Sequence, residues 1–389
     1  MPVTPKRSVN LTRRSFLTLA AAAPAAAWSA PERPLGVAIV GHTGRGNYGH
    51  GLDTVWLKVA GTRVVAVSDP DQAGRSAAAK RTGAGRAFAG YRELFDKVRP
   101  DLVAVCPRHV DQHAAIILDA IAAGARGLYV EKPFVRTLAE ADAVITACRA
   151  NGVRLAVAHR NRYHPALGVA VGLARSGELG TVREVRVRGK QDHRGGGLDL
   201  WVLGGHGFNL ATPFTGAPAS CEAVVMQDGR AAVRADIREG DEGVGRIVGD
   251  EIHARFSTQS GIPLHFDSRK GRWDKNEGFG LRVVGERATL DLRVDEEPLV
   301  HLVRNGVRTP VTSGGVGVPE PVRDIRERVG GHLGAVRDLL DAMREGREPL
   351  CGPEAARETI EMTLAVFASF ASGGSRVTLP LANRSHPLT

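Results

Sequence analysis

A cluster of glycines near the start of the chain has the spacing of a phosphate-binding turn. Gly44, Gly46 and Gly49 match the pattern G-x-G-x-x-G, and Gly41 ends the apolar run 35–40. That run has the length of a buried strand, and a helical pattern of apolar residues at 52–59 follows. Glycines let a backbone approach a pyrophosphate closely, and a helix start directs free N–H groups at its negative charge. The expected phosphate contacts are Gly41, Thr43, Gly44, Arg45 and Gly46, with an ordinary strand-to-helix turn as the alternative.

Asp69 closes the second strand-like run and lies 20 residues after Gly49. At that distance a carboxylate can accept hydrogen bonds from the ribose hydroxyls of a dinucleotide. Asp69 therefore favours NAD over NADP because it would repel a 2′-phosphate, although the nearby Arg75 would also accommodate NADP. The alternative role for Asp69 is the cap of the helix that follows.

Three further polar clusters follow strand-like runs at 102–106, 127–130 and 154–158. Helical patterns separate these runs, and alternating strands and helices build a doubly wound parallel sheet. Ligands of such sheets lie beyond the carboxyl ends of the strands. The fold class expected for residues 34–160 is therefore an α/β Rossmann domain. The clusters at its carboxyl edge are Pro107, Arg108 and His109; Glu131, Lys132 and Pro133; and His159, Arg160, Asn161 and Arg162.

Several of these motifs resemble those of one oxidoreductase family. Glu131, Lys132 and Pro133 follow a strand in a chain that also carries the glycine turn. The stretches 161–165, 177–182 and 194–200 and the pair Gly205 and His206 match as well. Together they are similar to the glucose-fructose oxidoreductase/inositol dehydrogenase family (Gfo/Idh/MocA) over nearly the whole mature chain. The resemblance implies NAD(P)-dependent oxidation of CH–OH groups in a sugar or cyclic polyol.

The resemblance also implies roles for individual residues. In that family the lysine of the Glu-Lys-Pro motif contacts a substrate hydroxyl, and a histidine of the second domain is the acid/base. The matching residues are Lys132 and His206, for which a strand-end ion pair and a core or capping histidine are the alternatives. An imidazole that titrates near neutrality suits removal of a hydroxyl proton, and a neighbouring cation stabilises the developing alkoxide. Further expected contacts are His159 and Arg162 for the substrate, and Pro107 and Glu131 for the cofactor.

One departure from the family pattern lies four residues before His206. The family commonly has an aspartate there, one helical turn away, whereas this chain has Val202. Asp199 lies seven residues before His206 and would share its face on an unbroken helix, but two glycines at 204 and 205 weaken such a helix. Asp199, Asp192 or His193 would then replace the aspartate, and Asp199 is the expected substrate contact.

The N-terminus is typical of an export signal rather than of a folded domain. Arg13 and Arg14 precede Ser15 and Phe16, and a short Ala-rich run extends to Ala27. This pattern indicates the twin-arginine export machinery, with a disordered basic leader or an uncleaved anchor as alternatives. The expected organisation is a signal at 1–30, the Rossmann domain at 34–160 and an α+β substrate domain at 161–380. The expected location is the periplasm or the exterior.

Residues 161–380 are predicted to contain a large, mostly antiparallel sheet. Strand-like segments occur at 181–188, 221–226, 281–284, 288–294 and 299–303, and apolar stripes predict two helices near the C-terminus. The interval 229–278 is rich in glycine and charge and is predicted to form loops over the site. Its His253, His265 and Trp273 are candidate sugar contacts or plain surface residues. In the resembling family an open sheet face commonly mediates homodimers or homotetramers.

Composition narrows the function classes. The 389 residues are 43% hydrophobic, which is enough for two domain cores. The 52 basic and 42 acidic residues give a net charge of +10, but the arginines are scattered, so nucleic acid is not an expected partner. The four cysteines stand far apart, so no metal site is expected.

The expected export bears on how a cofactor is used. The twin-arginine route exports folded proteins, so NAD is expected to be loaded before export and held tightly. A trapped cofactor must be regenerated within the site, either by oxidising one sugar and reducing another or by oxidising one sugar transiently. The transient route would make the protein a redox-assisted glycoside hydrolase or lyase. A non-catalytic binder of sugar or cofactor is the third alternative.

Overall fold

The computed structural model describes residues 33–389, and the expected export signal lies outside them. The first domain is a six-stranded sheet in the order β3-β2-β1-β4-β5-β6, in which all neighbours are parallel. This confirms the doubly wound prediction. The strands are β1 (Leu35–Val40), β2 (Thr62–Ser68), β3 (Arg86–Phe88), β4 (Leu102–Val105), β5 (Gly127–Val130) and β6 (Arg154–Val157). The helices are α1 (Gln72–Thr82), α2 (Tyr91–Val98), α3 (His113–Ala122) and α4 (Leu138–Asn151).

The prediction of a helix directly after the glycine turn is wrong. Turns continue to Thr54, and a single 3₁₀ segment, Val55–Lys58, follows. Gly49 and Gly51 have φ angles of +61° and +96°, which no α-helix accommodates. The apolar side chains still point inwards, since Leu52 and Trp56 are buried. Their helix-like spacing reflects burial in a compact turn.

The second domain contains an eleven-stranded sheet, and its mostly antiparallel character confirms the prediction. The strand order is β18-β17-β16-β15-β14-β7-β13-β12-β8-β19, with β9 paired to β8, and only β7 and β13 run parallel. The strands are β7 (Val182–Arg188), β8 (Pro218–Gln227), β9 (Arg230–Ala231), β12 (Glu251–Thr258), β13 (Leu264–Arg269), β14 (Gly280–Gly285), β15 (Thr289–Arg293), β16 (Val300–Arg304), β17 (Val307–Thr312), β18 (Gly315–Val316) and β19 (Val377–Thr378). A separate pair joins β10 (Arg238–Glu239) and β11 (Arg246–Ile247).

The prediction of loops throughout 229–278 is wrong, because β12 and β13 lie in the middle of the sheet. Along β12, buried residues such as Ile252 and Phe256 alternate with outward His253 and Arg255. One face of this sheet meets solvent, so charged residues occupy every second position and hide the strand pattern.

The helices of the second half are α5 (Ala166–Arg175), α6 (Gly196–Asp199), α7 (Gly205–Thr215), α8 (Ile325–Val329), α9 (Leu333–Glu345) and α10 (Pro353–Ala371). Of these, α9 and α10 pack against the Rossmann domain as well. The apolar face of α9 packs on β5 and β6 and shares one apolar core with the 3₁₀ segment that follows the glycine turn. None of the helices in residues 33–389 has the length and apolarity needed to cross a membrane.

Candidate active site

The glycine turn lies directly on the ends of two Rossmann strands. A Cβ at Gly46 would come 2.4 Å from the backbone nitrogen of Arg108, just after β4. A Cβ at Gly49 would come 2.5 Å from Oε2 of Glu131, just after β5. The backbone therefore reaches the carboxyl edge of the sheet only because these side chains are absent.

Side chains of the turn also cross to the loop after β4. Arg45 pairs with Asp111 at 2.6 Å and lies 3.3 Å from Nδ1 of His109. Nδ1 of His42 lies 2.6 Å from Oε1 of Gln112. We call these contacts of residues 42–45 with 109–112 the clasp. It spans the point between β1 and β4 where strand order reverses and where ligands of doubly wound sheets bind.

Asp69 does not present a free carboxylate to a ribose, which corrects the sequence interpretation. It is fully buried, and it accepts hydrogen bonds from the backbone nitrogen of Thr43 at 3.0 Å and from its hydroxyl at 2.7 Å. The backbone nitrogen of Asp71 donates a third bond at 2.9 Å. Asp71, rather than Asp69, caps α1 by accepting from Gly74. The acid after β2 therefore fixes the glycine turn.

A cavity of about 250 Å³ lies where the ends of β4, β5 and β6 face the second domain. Of the expected site residues it brings together Glu131, Lys132 and His206. It is polar and rich in positive charge. Its lining is His50, Arg108, Glu131, Lys132, Ala158, Arg160, Lys190, Arg194, Val202, Leu203, His206, Glu242, Phe279, Val294, Asp295 and His332.

Lys132 and Glu131 form the floor of the cavity. The ammonium of Lys132 is buried and donates to the carbonyl oxygen of Val202 at 3.1 Å. Burial lowers the pKa of Lys132, while the charge of Glu131 opposes that shift. Burial raises the pKa of Glu131, but nearby His50 and Lys132 outweigh it and bring the pKa to about 2. Glu131 is thus ionised, and its Oε1 pairs with Nδ1 of His50 at 3.4 Å.

His206 begins the second half of an irregular helix. Between α6 and α7 the chain forms a π-helical segment, Leu200–Gly204. His206 is buried, and its Nδ1 has no hydrogen-bond partner in the described part of the chain. Burial, followed by the charge of Lys132, lowers its pKa well below the ordinary 6.5. The side chain is therefore a neutral imidazole at neutral pH and can accept a proton.

His159 lies behind His206 rather than in the cavity wall. The two rings meet edge to face at 6.0 Å between centroids. Neither nitrogen of His159 has a partner among the described residues, and burial with the charge of Lys132 lowers its pKa to about 4. It is thus a second neutral imidazole next to the candidate base.

The structure does not bring Asp199 into the site. Its buried carboxylate accepts hydrogen bonds from the backbone nitrogens of Lys190 and Gln191 and from the hydroxyl of Ser268. The π-helical segment widens the turn, so a residue seven positions before His206 no longer shares its face. Asp199 joins the loop after β7 to β13 and does not face a substrate.

The other suggested substitutes for the family aspartate also lie elsewhere. Asp192 pairs with Arg194, and His193 has a mostly exposed side chain. Position 202 itself provides only its backbone carbonyl oxygen to Lys132.

Two more expected contacts are not in the cavity lining. Arg162 is absent from it, while its neighbour Arg160 is present. Pro107 is buried beneath the site, with its carbonyl oxygen 2.6 Å from Nε2 of His113. His265 and Trp273 do not line the cavity either, and His253 faces the open side of the sheet with Glu251 and Asp267.

Sequence reasoning missed several lining residues. Arg108 and Arg160 stood within the flagged strand-end clusters, so their positions carried a signal. The position of Glu242 carried no such signal, because its loop reaches the site by packing against the loop after β4. There the backbone nitrogen of Val110 donates to the carbonyl oxygen of Glu242 at 3.0 Å.

The fold and the site define an NAD-binding oxidoreductase of two domains. Residues 35–159 match the description "Oxidoreductase family, NAD-binding Rossmann fold", and residues 175–379 match "Oxidoreductase family, C-terminal alpha/beta domain". The chain belongs to the Gfo/Idh/MocA family, as the motifs had indicated.

Two relatives and one solved structure show distant similarity. D-apiose dehydrogenase of Paraburkholderia graminis is 29% identical over 126 residues, which are 32% of this chain and 33% of the relative. The chain thus matches only a third of that enzyme. The oxidoreductase YdgJ of Escherichia coli K12 is 25% identical over 75% of this chain and 84% of its own. A levoglucosan dehydrogenase, solved with NADH and levoglucosan, shares the fold with a TM-score of 0.72 at 18% identity, covering 90% of this chain and 100% of its own.

Proposed function

We propose that the protein is an exported NAD(P)-dependent oxidoreductase that acts on a CH–OH group of a sugar or cyclic polyol and holds its cofactor tightly. The observation that carries the proposal is the meeting of Lys132 and His206, from different domains, in one cavity at the carboxyl edge of the Rossmann sheet. The names of D-apiose and levoglucosan dehydrogenase support a sugar as the substrate class.

The residues present fit a nicotinamide dinucleotide. The glycine turn and the carboxylate of Glu131, which pairs with His50, would hold it, and the clasp would lie across it. When bound, the nicotinamide supplies the hydride acceptor for the substrate carbon. Asp69 would act indirectly by fixing Thr43.

The protein side of the reaction concerns one proton and one developing charge. His206 is neutral and accepts the proton of the substrate hydroxyl. The ammonium of Lys132 stabilises the alkoxide that forms, and the bond to Val202 keeps it in place. Because the side chains of Lys132 and His206 are buried, this charge pairing is stronger than it would be in solvent.

Export and assembly are parts of the proposal that rest on the sequence. The paired arginines at 13 and 14 support export of the folded protein with its cofactor loaded. The open face of the large sheet is the surface expected to join two or four copies.

A second candidate function is redox-assisted cleavage of a glycoside. It is favoured by Val202, which removes the acid that the family commonly places four residues before the candidate base. Transient oxidation of a hydroxyl acidifies the neighbouring C–H bond, and a base in the cavity could remove that proton so that the glycosidic group leaves. Release of the aglycone, with solvent deuterium entering the sugar next to the oxidised carbon, would distinguish this function.

The first experiment is to denature the purified protein and identify any released nucleotide by mass. Intact protein is then titrated with a panel of sugars and cyclic polyols while the absorbance of reduced nicotinamide is followed. Released NAD or NADP that a sugar reduces supports the proposal. A protein that neither contains nor binds a dinucleotide would falsify it.

A further inference from the structure

Three neighbouring strand ends each supply a cation to the same cavity. Arg108 follows β4, Lys132 follows β5 and Arg160 follows β6, and all three line it. These strands are adjacent in the sheet, so the three positive charges form a row along its carboxyl edge.

The row is poorly compensated. Among residues 33–389, no carboxylate lies within 4.0 Å of Arg108 or Arg160, and Lys132 is bonded to a neutral carbonyl. Two other cations at the rim are paired, Lys190 with Asp295 and Arg194 with Asp192. The whole lining has five lysines and arginines against three acids. A cavity with excess positive charge favours an anionic occupant.

We propose that the substrate is an anionic sugar, and that Arg160 binds its carboxylate or phosphate group. This inference rests on the proposed oxidoreductase function and names the substrate class. Arg108 lies against Gly46 of the glycine turn and is thus on the cofactor side. Arg160 lies on the other side, where one of its nitrogens, Nη1, donates to the carbonyl of Gly330 at 3.2 Å. The remaining N–H groups can bind two oxygens of one anion.

The size of the cavity restricts the sugar. Its volume of about 250 Å³ is below the range of roughly 300–1,000 Å³ that drug-sized ligands occupy. The nicotinamide and the substrate would share this space, which favours a small sugar over a long chain.

The test compares matched sugars that differ in one charged group. Glucose, glucuronate and glucose 6-phosphate are assayed with the cofactor-loaded protein by reduced-nicotinamide absorbance, and their binding is measured by fluorescence of the bound reduced cofactor. We expect kcat/KM for one of the anionic sugars to exceed that for glucose by about 10-fold or more, as a charge-assisted hydrogen bond provides. Preference for glucuronate identifies a carboxylate and preference for the phosphate ester identifies a phosphate; either supports the proposal.

Two variants of Arg160 and one control test the assigned residue. R160Q should lower kcat/KM for the preferred anionic sugar by about 10- to 100-fold, mainly by raising KM. It should therefore reduce the ratio of kcat/KM for that sugar to kcat/KM for glucose. R160K keeps the charge but loses the planar fork, so it should recover part of the preference even if R160Q folds poorly. R92Q removes an exposed arginine of α2 and should change neither value.

The outcomes separate this inference from the proposed function. Reduction of the cofactor by glucose as readily as by the anionic sugars overturns the anionic substrate and leaves the oxidoreductase intact. Binding of anionic sugars in an Arg160-dependent manner, without any redox change, overturns the oxidoreductase and leaves the anion site. Absence of sugar binding overturns both.

Discussion

Substitution of Lys132 by methionine removes a buried charge while keeping most of the side-chain volume. Because the ammonium is buried, solvent screens it little, and the loss should resemble that of one preorganised donor to a developing oxyanion. We expect kcat to fall about 100- to 1,000-fold, equivalent to about 2.7–4 kcal/mol. Binding of the reduced cofactor, followed by its fluorescence, should change much less.

The same variant has a second, electrostatic signature. After burial, the charge of Lys132 is the largest cause that lowers the pKa of His159 and of His206. Without that charge both pKa values should rise. As the pH is lowered, the residual activity should therefore begin to decline at a higher pH than in the wild type, because the base becomes protonated there. Rate is measured against pH for K132M and for K97M, which alters an exposed lysine of α2. A K132M protein with near wild-type kcat and an unchanged pH profile would refute the catalytic role of Lys132. Lys132 would then have only a structural role, through its hydrogen bond to the carbonyl of Val202.

Three further predictions test the base, the turn and the clasp. H206N should lower kcat about 100- to 10,000-fold with the fold retained. Because burial lowers the pKa of His206, the wild-type oxidation rate should not decline when the pH is lowered through 6.5. A decline there would contradict a neutral base. D69N should destabilise the protein by about 1–3 kcal/mol, seen as a lower thermal midpoint, because the Thr43 turn loses a buried charged acceptor; an unchanged midpoint would be inconsistent with that role. R45A should speed release of reduced cofactor in stopped flow by up to about fivefold, the range of a half-exposed ion pair such as that with Asp111, and equal release rates would show that the clasp does not retain it.

Much of the site was predictable because parallel strands share one edge. Short apolar runs followed by polar residues place Arg108, Lys132 and Arg160 together without any knowledge of tertiary contacts. The role of Lys132 needed the family resemblance, and so did the choice of His206. Within a strand-end cluster, however, the sequence does not say which residue faces the cavity. The 3₁₀ segment Arg160–Tyr163 turns Arg160 towards the cavity and leaves Arg162 out of its wall.

Other parts depended on geometry that no periodicity records. A π-helical segment moves Asp199 off the face of His206, although the spacing alone had favoured it. Thr43, in the middle of the glycine turn, donates its hydroxyl to the carboxylate of Asp69, which was expected to bind a ribose. Glu242 reaches the site because its loop packs against Val110 and Asp111. Each case turns on a single local contact rather than on a pattern along the chain.

The valine at position 202 changes the electrostatics of the site more than its geometry. The backbone carbonyl of residue 202 binds the ammonium of Lys132, and any residue at this position would provide it. A carboxylate side chain there would add a negative charge, lower the net positive charge of the cavity and raise the pKa of His206 by favouring its protonated form. Because valine adds no charge, His206 stays neutral, and the row of Arg108, Lys132 and Arg160 keeps its charge. The same substitution that removes an acid from the expected pair therefore favours both a neutral base and an anionic substrate.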